Sequence, residues 1–549
     1  MTKMELIPRD DWLEQYESWQ VQSSKPKSLK DLTSLSPSAP SPDGVMKQDI
    51  TPSLLQMEDM YDPKIHLPYA PTDWTGYEPA TDLSDALQQQ IGVMGKPITT
   101  AEYMRQALTH PLYGYYTNPP ASQLEKKLQQ QGGTNDDWDD DEWDDEPEES
   151  SSSKKSTVFG SGGDFVTAPE VSHVFGYCIG IWWYTQWKDG TIGSKVNLVE
   201  LGPGRGTLMV DLLQLATSNN LREFGEAIDT VHLVEASLDL RKEQQESLEK
   251  ALGHIIDFEF AIAFEDPIEK RKRELENGSQ EDITASSNKI PIRVQWHDDF
   301  MSFRHNRDES IPCMFVLQEF LDALPVHVFE KREDGWRERL VDVVDQEENP
   351  PNPDNTPLVP RLRQVVAPGP TPASDLLIPK TAQYEQAPEG TVIEICPEAI
   401  FLIQDMAKVL EESGGVALMV DYGQEGTGDT LRAFSNHKQV GLTSYPGQVD
   451  VTADVDFYAL KHCLTPHDDA DQERIIHAFG PITQGEFLMK MGASEMIIHK
   501  IEQDDTTEEQ AQQLAQALKF LVLPEHMGEK FKVMALAKKR DGIFGPPAF

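Results

Sequence analysis

One stretch constrains this chain more than any other: Val199-Glu200-Leu201-Gly202-Pro203-Gly204-Arg205-Gly206-Thr207. It joins an apolar, β-branched run, Val196–Leu201, to a segment with helical apolar spacing, Thr207–Ala216. The glycines let the backbone adopt conformations closed to other residues and approach a ligand, while the helix start presents free N–H groups. The alternation continues with a strand at Thr230–Glu235, a helix at Leu238–Leu252 and a strand at Cys313–Gln318. A helix at Ala399–Ser413 and strands at Gly415–Asp421 and Phe531–Ala537 follow. Short strands alternating with helices predict an α/β fold, a doubly wound sheet of the Rossmann type.

The chemistry of the turn narrows the ligand. Its spacing is G-x-G-x-G, because Thr207 stands where the dinucleotide pattern G-x-G-x-x-G has its last glycine. Glu200 precedes the first glycine, and Glu235 ends the next strand, where an acid accepts hydrogen bonds from ribose hydroxyls. Two strand-end acids around this turn fit S-adenosylmethionine better than NAD; a plain tight βα turn is the alternative without a ligand. Trp296-His297-Asp298-Asp299 follows the third strand, on the side where an adenine ring lies. Asp298 or Asp299 is placed to hold its amine, unless the pair is a solvated turn. Asp164 and Thr167 precede an apolar helix that runs to about Lys188 and either close over the cofactor or only start that helix.

Composition limits the rest. The 549 residues carry 93 acids against 48 Lys plus Arg, a net charge of −45, with a pI near 4.6. That balance argues against nucleic acid or anionic lipid as a partner. Cys178, Cys313, Cys396 and Cys463 are scattered without a C-x-x-C pair and read as reduced, buried thiols. Histidines 297, 327, 437 and 462 reproduce no metal spacing, so no metal is expected. No apolar run approaches the ~18 residues of a membrane span. The first residues, with Glu5, Asp10, Asp11 and Glu14, lack the Arg-rich, acid-poor character of a transit peptide.

Hydrophobic content of 38% is low, which points to polar additions diluting an ordinary core. Residues 1–96 read as a largely disordered tail, 97–540 as one elaborated domain and 541–549 as a second tail. Within the domain, 119–163 reads as an acidic insert, since Asp136–Glu149 holds eleven acids and no base. The eight prolines of 344–375 read as a long loop. The domain opens with a helix start at Ile98-Thr99-Thr100-Ala101-Glu102-Tyr103, with Thr99 and Glu102 as a capping box.

Several ordered blocks make the chain recognisable. They include Pro111-Leu112-Tyr113-Gly114-Tyr115-Tyr116, Gly163 to Glu170, Val199 to Thr207, and Glu319-Phe320-Leu321-Asp322-Ala323-Leu324-Pro325-Val326. Asp421-Tyr422-Gly423, Thr430 to Phe434, Thr452 to Phe457, Gly480 to Phe487 and Met527 to Val533 complete them. Across about 97–540 the chain resembles the MidA-like family of S-adenosylmethionine-dependent protein arginine methyltransferases, nearest to members that serve assembly of mitochondrial respiratory complex I. Gln318 departs from that pattern, which has Asn or His there.

The resemblance implies symmetric dimethylation of an arginine on a complex I core subunit, inside mitochondria. That location conflicts with the acidic N-terminus, and the many matching blocks outweigh it. A guanidinium stays protonated in water, so carboxylates are needed to hold its planar fork and compensate its charge. Glu319 and Asp322, just past the fourth strand of the sheet, are the expected catalytic pair; the bland alternative has Asp322 only capping a turn. The cofactor set is Glu200, Gly202, Pro203, Gly204, Gly206, Glu235, Asp298, Asp164 and Thr167. Asp421–Gly423 ends a strand at the same edge, whereas Thr452–Asp456 reads as a helix cap. The rival reading is an assembly chaperone that keeps the fold and only binds the subunit.

Overall fold

The computed structural model describes residues 78–117, 167–190, 192–261, 289–344, 360–379, 381–426, 428–435, 438–464, 475–503, 506–539 and 545–549. Eight strands form the long path of its largest sheet. They are β1 (Val196–Leu201), β2 (Ile228–Val234), β3 (Ile256–Ala261), β4 (Ile290–His297), β5 (Cys313–Gln318), β6 (Gly415–Gln424), β7 (Ile476–Thr483) and β8 (Phe531–Lys538). In space they run β7-β8-β6-β5-β1-β2-β4-β3, with the short strand Val455–Asp456 beside β6. Every pairing from β3 across to β6 is parallel. By contrast, β8 is antiparallel to both β6 and β7. From β1 the chain winds outward through β2 and then returns to the other side of β1 for β5. That reversal opens a crevice at the carboxyl ends of β1 and β5, the place where such sheets bind ligands. The doubly wound α/β architecture is as the sequence predicts.

The central strands are apolar on both sides because helices cover both faces. On one face lie α1 (His173–Lys188) and α2 (Thr207–Ala216). There α1 buries Phe175, Cys178, Ile179, Trp182 and Trp183 in the main core. Full burial of each large apolar side chain stabilises the fold by roughly 1.5–3 kcal/mol. On the other face, helix Pro397–Ser413 packs Ile403, Met406 and Leu410 against Phe315, Leu317 and Met419. Cys178, Cys313 and Cys463 are buried free thiols, and Cys396 is half-buried.

A second antiparallel sheet stands beside the first, pairing Ile98–Thr99, Gly335–Val343, His327–Arg332 and Val392–Ile395. A small sheet of Arg432–Ser435, Lys438–Val440 and Asp450–Thr452 lies beside it. These elements share a third core with Tyr103, Met104, Leu108 and Tyr115. Thr99 caps helix Thr100–Thr109 as expected, accepting the Glu102 N–H at 3.0 Å. The capping box is not closed, because the Glu102 carboxylate accepts from Arg105 and Gln106 instead. Ile98 and Tyr103 enter the same core.

Three boundaries differ from the sequence reading. The expected tail 1–96 ends in order, because Asp82–Met94 is a helix whose Leu83, Leu87 and Ile91 join the third core. The 344–375 stretch is not a loop throughout: Leu362–Val366 pairs with Gly335–Val343, and Pro372–Leu377 is a helix. At the C-terminus, residues 545–549 return to the core. Trp182 Nε1 donates to the Pro547 carbonyl at 2.8 Å, and Phe549 meets Trp182 edge-on. The acidic run Asp136–Glu149 lies outside the described residues.

Candidate active site

The glycine turn after β1 is built as its spacing requires. Gly202, Gly204 and Gly206 take φ values of 67°, 51° and 81° in the left-handed region. A Cβ at Gly202 would lie 2.6 Å from the Phe320 ring, so the turn and the segment after β5 are in contact only because side-chain atoms are missing here. Gly206 N–H donates to the Pro203 carbonyl at 2.7 Å, which tightens the turn. Gln244 then ties it to the neighbouring strands, giving its Nε2 to the Gly204 carbonyl and accepting Trp296 Nε1, both at 2.7 Å.

Two carboxyls flank the turn. Glu200 is buried, and its Oε2 meets no donor among the described residues. Burial, with Asp211 adding repulsion, pushes its pKa up to about 8. Glu235 accepts the Ser237 N–H at 2.7 Å, and burial pushes it up to about 7. Asp298 is ion-paired with Arg241, whose guanidinium also donates to the Glu235 carbonyl. Asp299 accepts the Ser302 N–H at 2.6 Å as a helix cap, so each of the two acids already has a partner.

The end of β5 carries the other half. Glu319 has φ 48°, a conformation that costs a non-glycine residue about 1–3 kcal/mol. The adjoining strand holds it there. Glu319 N–H donates to the Val420 carbonyl at 2.9 Å. Asp421 Oδ2 accepts the N–H groups of Phe320, Leu321 and Asp322 at 3.2, 2.9 and 3.3 Å. One buried carboxylate thus organises the whole turn bearing Glu319 and Asp322.

Asp322 Oδ2 accepts the Tyr422 hydroxyl and, at 2.7 Å, the Thr452 hydroxyl, while Oδ1 has no hydrogen-bond donor among the described residues. Thr452 is therefore a partner of this site and not a helix cap; the cap of helix Phe457–His462 is Asp456, which accepts the Ala459 N–H. Burial, then repulsion by Asp322, pushes Glu319 up to about 8; burial raises Asp322 as well. Tyr422 lies under the Arg432 guanidinium, 5.1 Å from the ring centre, and Arg432 is ion-paired with Asp454.

Both halves open on one cavity of about 340 Å3. Glu319, Asp322, Glu200, Gly202, Pro203, Gly204, Glu235, Asp298 and Thr167 all line it. Gly206 lies behind the turn against Gln244, and Asp164 and His437 fall outside the described residues. Tyr116, Gln318, Tyr422 and Asp450 also line the cavity, and Tyr116 donates to Asp450 at 3.0 Å. Tyr422 belongs to the strand end that sequence reasoning set at this edge, and Gln318 is the departure from the family pattern, whereas Tyr116 and Asp450 had no specific role. Tyr116 lay in a recognised block, but its meeting with Asp450, 334 positions away, is a product of the fold. Among the described residues, eight carboxyl side chains line the cavity against one cation, Arg205, which is ion-paired with Glu243. Such a site favours a positively charged occupant.

Comparison with known proteins identifies the family. Residues 178–475 match the model of a family of S-adenosyl-L-methionine-dependent methyltransferases. The zebrafish (Danio rerio) mitochondrial protein arginine methyltransferase NDUFAF7 is 32% identical over 444 residues, covering 80% of this chain and 83% of its own. Its human (Homo sapiens) counterpart is 31% identical over 464 residues, covering 83% and 84%. The chain belongs to this methyltransferase family. A Burkholderia thailandensis protein solved with S-adenosyl-homocysteine shares the fold, with a TM-score of 0.56 and 22% identity over 86% of this chain and 98% of that one. The relatives are named as mitochondrial, which supports the mitochondrial location implied by the resemblance.

S-adenosyl-L-methionine is the methyltransferase's cofactor, and when bound it supplies an electrophilic methyl group on a sulfonium. The chain's residues fit it. The glycine turn leaves room for a ligand against the backbone, and the unmet Oε2 of Glu200 offers an acceptor to a cationic amine. Glu235 stands at the strand end where ribose hydroxyls are held.

The raised carboxyls make binding and stability pH-dependent. Glu200, Glu235 and Glu319 hold protons when folded that the unfolded chain releases near 4.5. Stability of the ligand-free protein is therefore expected to fall as pH rises from about 4.5 through 8. A cationic cofactor favours the ionised forms, so its binding at pH 7 is expected to release on the order of one proton. Calorimetry in buffers of different ionisation enthalpy measures that release, and proton uptake would contradict it. Tyr422→Phe removes a donor from Asp322 and a hydroxyl partner from Thr452, which itself donates to Asp322. It is expected to lower kcat/KM by about 10-fold with cofactor affinity unchanged, and an equal loss of cofactor affinity would contradict it.

Proposed function

We propose that the protein is a protein arginine methyltransferase that forms symmetric dimethylarginine on a core subunit of mitochondrial respiratory complex I. One observation carries the reading: two buried carboxyls, Glu319 and Asp322, line the same cavity as the glycine turn. In this reading Glu200 and Glu235, with Gly202, Pro203, Gly204 and Gly206, hold the cofactor, while Asp298, Thr167 and Asp164 border it.

Methyl transfer is an in-line displacement, so the chain's main task is to position the acceptor and exclude water. Glu319 and Asp322 hold the guanidinium fork through charge-assisted hydrogen bonds and point one nitrogen at the methyl group. With the cofactor bound, the methyl group's bond to sulfur would break as the C–N bond forms, and that nitrogen would lose one proton. A carboxylate whose affinity for protons has been raised by burial is suited to take it, and burial pushes Glu319 up to about 8. The names of the relatives support arginine as the acceptor.

Cells lacking the protein test its task. Wild type is expected to restore complex I assembly and Glu319→Gln is not. Full rescue by Glu319→Gln would mean that the protein serves assembly by binding alone.

A further inference from the structure

The residue that departs from the family pattern, Gln318, occupies the junction of the two halves. It ends β5, is 8% exposed and lines the cavity. Its Nε2 donates to Glu319 Oε1 at 2.7 Å. With Glu319 ionised, as it is beside a guanidinium, the reverse amide orientation would set two acceptor oxygens against each other, so Nε2 is the amide atom that faces Glu319. The amide oxygen is left buried, and no donor among the described residues meets it. Asp322 Oδ1, four positions on, is unmet in the same way.

An orphaned buried carbonyl oxygen is unfavourable, and with no donor among the described residues this one can be met by a donor that enters the cavity Gln318 lines. A guanidinium brings five N–H donors in one plane, more than two carboxylates take up. A neutral acceptor also adds no charge to a site where Asp322, Asp421 and Glu170 already surround Glu319. Asp322 and Glu170 oppose ionisation of Glu319, whereas the Gln318 amide and the Ala168 N–H favour it.

We infer that Gln318 is a substrate-positioning residue: its NH2 group orients Glu319, and its carbonyl oxygen accepts an N–H of the acceptor guanidinium. This rests on the arginine reading above and adds to it a third acceptor.

Gln318→Met keeps the side chain's length and volume while removing donor and acceptor. It is expected to raise KM for an arginine-bearing protein substrate about 10-fold. It should also move the acidic limb of the kcat/KM profile to higher pH, with the Kd for S-adenosylmethionine within about twofold of wild type. Gln318→Glu keeps an acceptor and loses the donor, so the limb should move while KM at high pH stays near wild type. Carbon-13 titration of the Glu319 carboxyl needs no turnover and should show a higher pKa in Gln318→Met. An unmoved Glu319 titration and an unchanged KM in an active enzyme would overturn the inference alone. Parallel losses of cofactor affinity and KM in both variants would reduce Gln318 to a structural role and overturn it too. A wild-type protein that methylates no arginine would overturn the arginine reading itself.

Discussion

Glu319→Gln is expected to lower kcat/KM for methylation by on the order of 10³-fold while S-adenosylmethionine still binds. The substitution keeps the side chain's size and its place at φ 48°, so the turn anchored by Asp421 stays as it is. What disappears is a buried negative charge beside the acceptor and a base for the departing proton. Removing one preorganised electrostatic partner costs roughly 10²–10³ in rate, and general-base catalysis contributes about 10²–10⁴. Glu200 and Glu235 belong to the glycine-turn half of the cavity and are untouched, so calorimetric Kd for the cofactor separates the effects. A variant with wild-type turnover would remove Glu319 from the mechanism. One that no longer binds cofactor would show that the substitution disturbs the whole site.

Gly202→Ala is expected to weaken cofactor binding by on the order of 10²-fold. Alanine at φ 67° carries a strain of about 1–2 kcal/mol, and its Cβ would sit 2.6 Å from the Phe320 ring. Phe320 follows Glu319 directly, so the displacement reaches the acceptor half as well. Gly190 is a fitting control: its φ is 78°, but a Cβ there meets nothing within 4 Å. Gly190→Ala is expected to lower stability by ~1 kcal/mol without changing cofactor affinity. If both alanine variants bind cofactor like wild type, the glycine turn does not border the ligand.

The parts of the molecule that could be read from sequence are those written in neighbouring residues. β1, α2, Leu238–Leu252 and β5 occur with the expected bounds because each combines a clear apolar period with a local stop. The helix Asp82–Met94 was harder to see. Its capping box uses Ser84 in place of Glu or Gln, and a polar stretch precedes it. Strand Leu362–Val366 is hidden between Pro360 and Pro368, which lie just outside it, so proline density marked the loop ends and masked the pairing.

In the site, Glu200 and Glu235 could be read from their spacing around a turn. Asp322 could not be read fully, because Tyr422 and Thr452, which hold it, lie 100 and 130 positions away. The role of Asp421 as acceptor for three N–H groups of a distant turn has no sequence signature at all. These contacts depend on β5 and β6 being neighbours, which only the sheet order reveals.

The most direct test is single-turnover mass spectrometry. The purified protein, saturated with S-adenosylmethionine carrying a deuterated methyl group, is mixed with an arginine-bearing core subunit of complex I, and tandem spectra locate the label. The expected result is labelled methyl on a subunit arginine with wild type and none with Glu319→Gln, both proteins being saturated with cofactor. An unmodified subunit in the presence of cofactor-saturated wild type would contradict the account and leave a protein that binds without methylating.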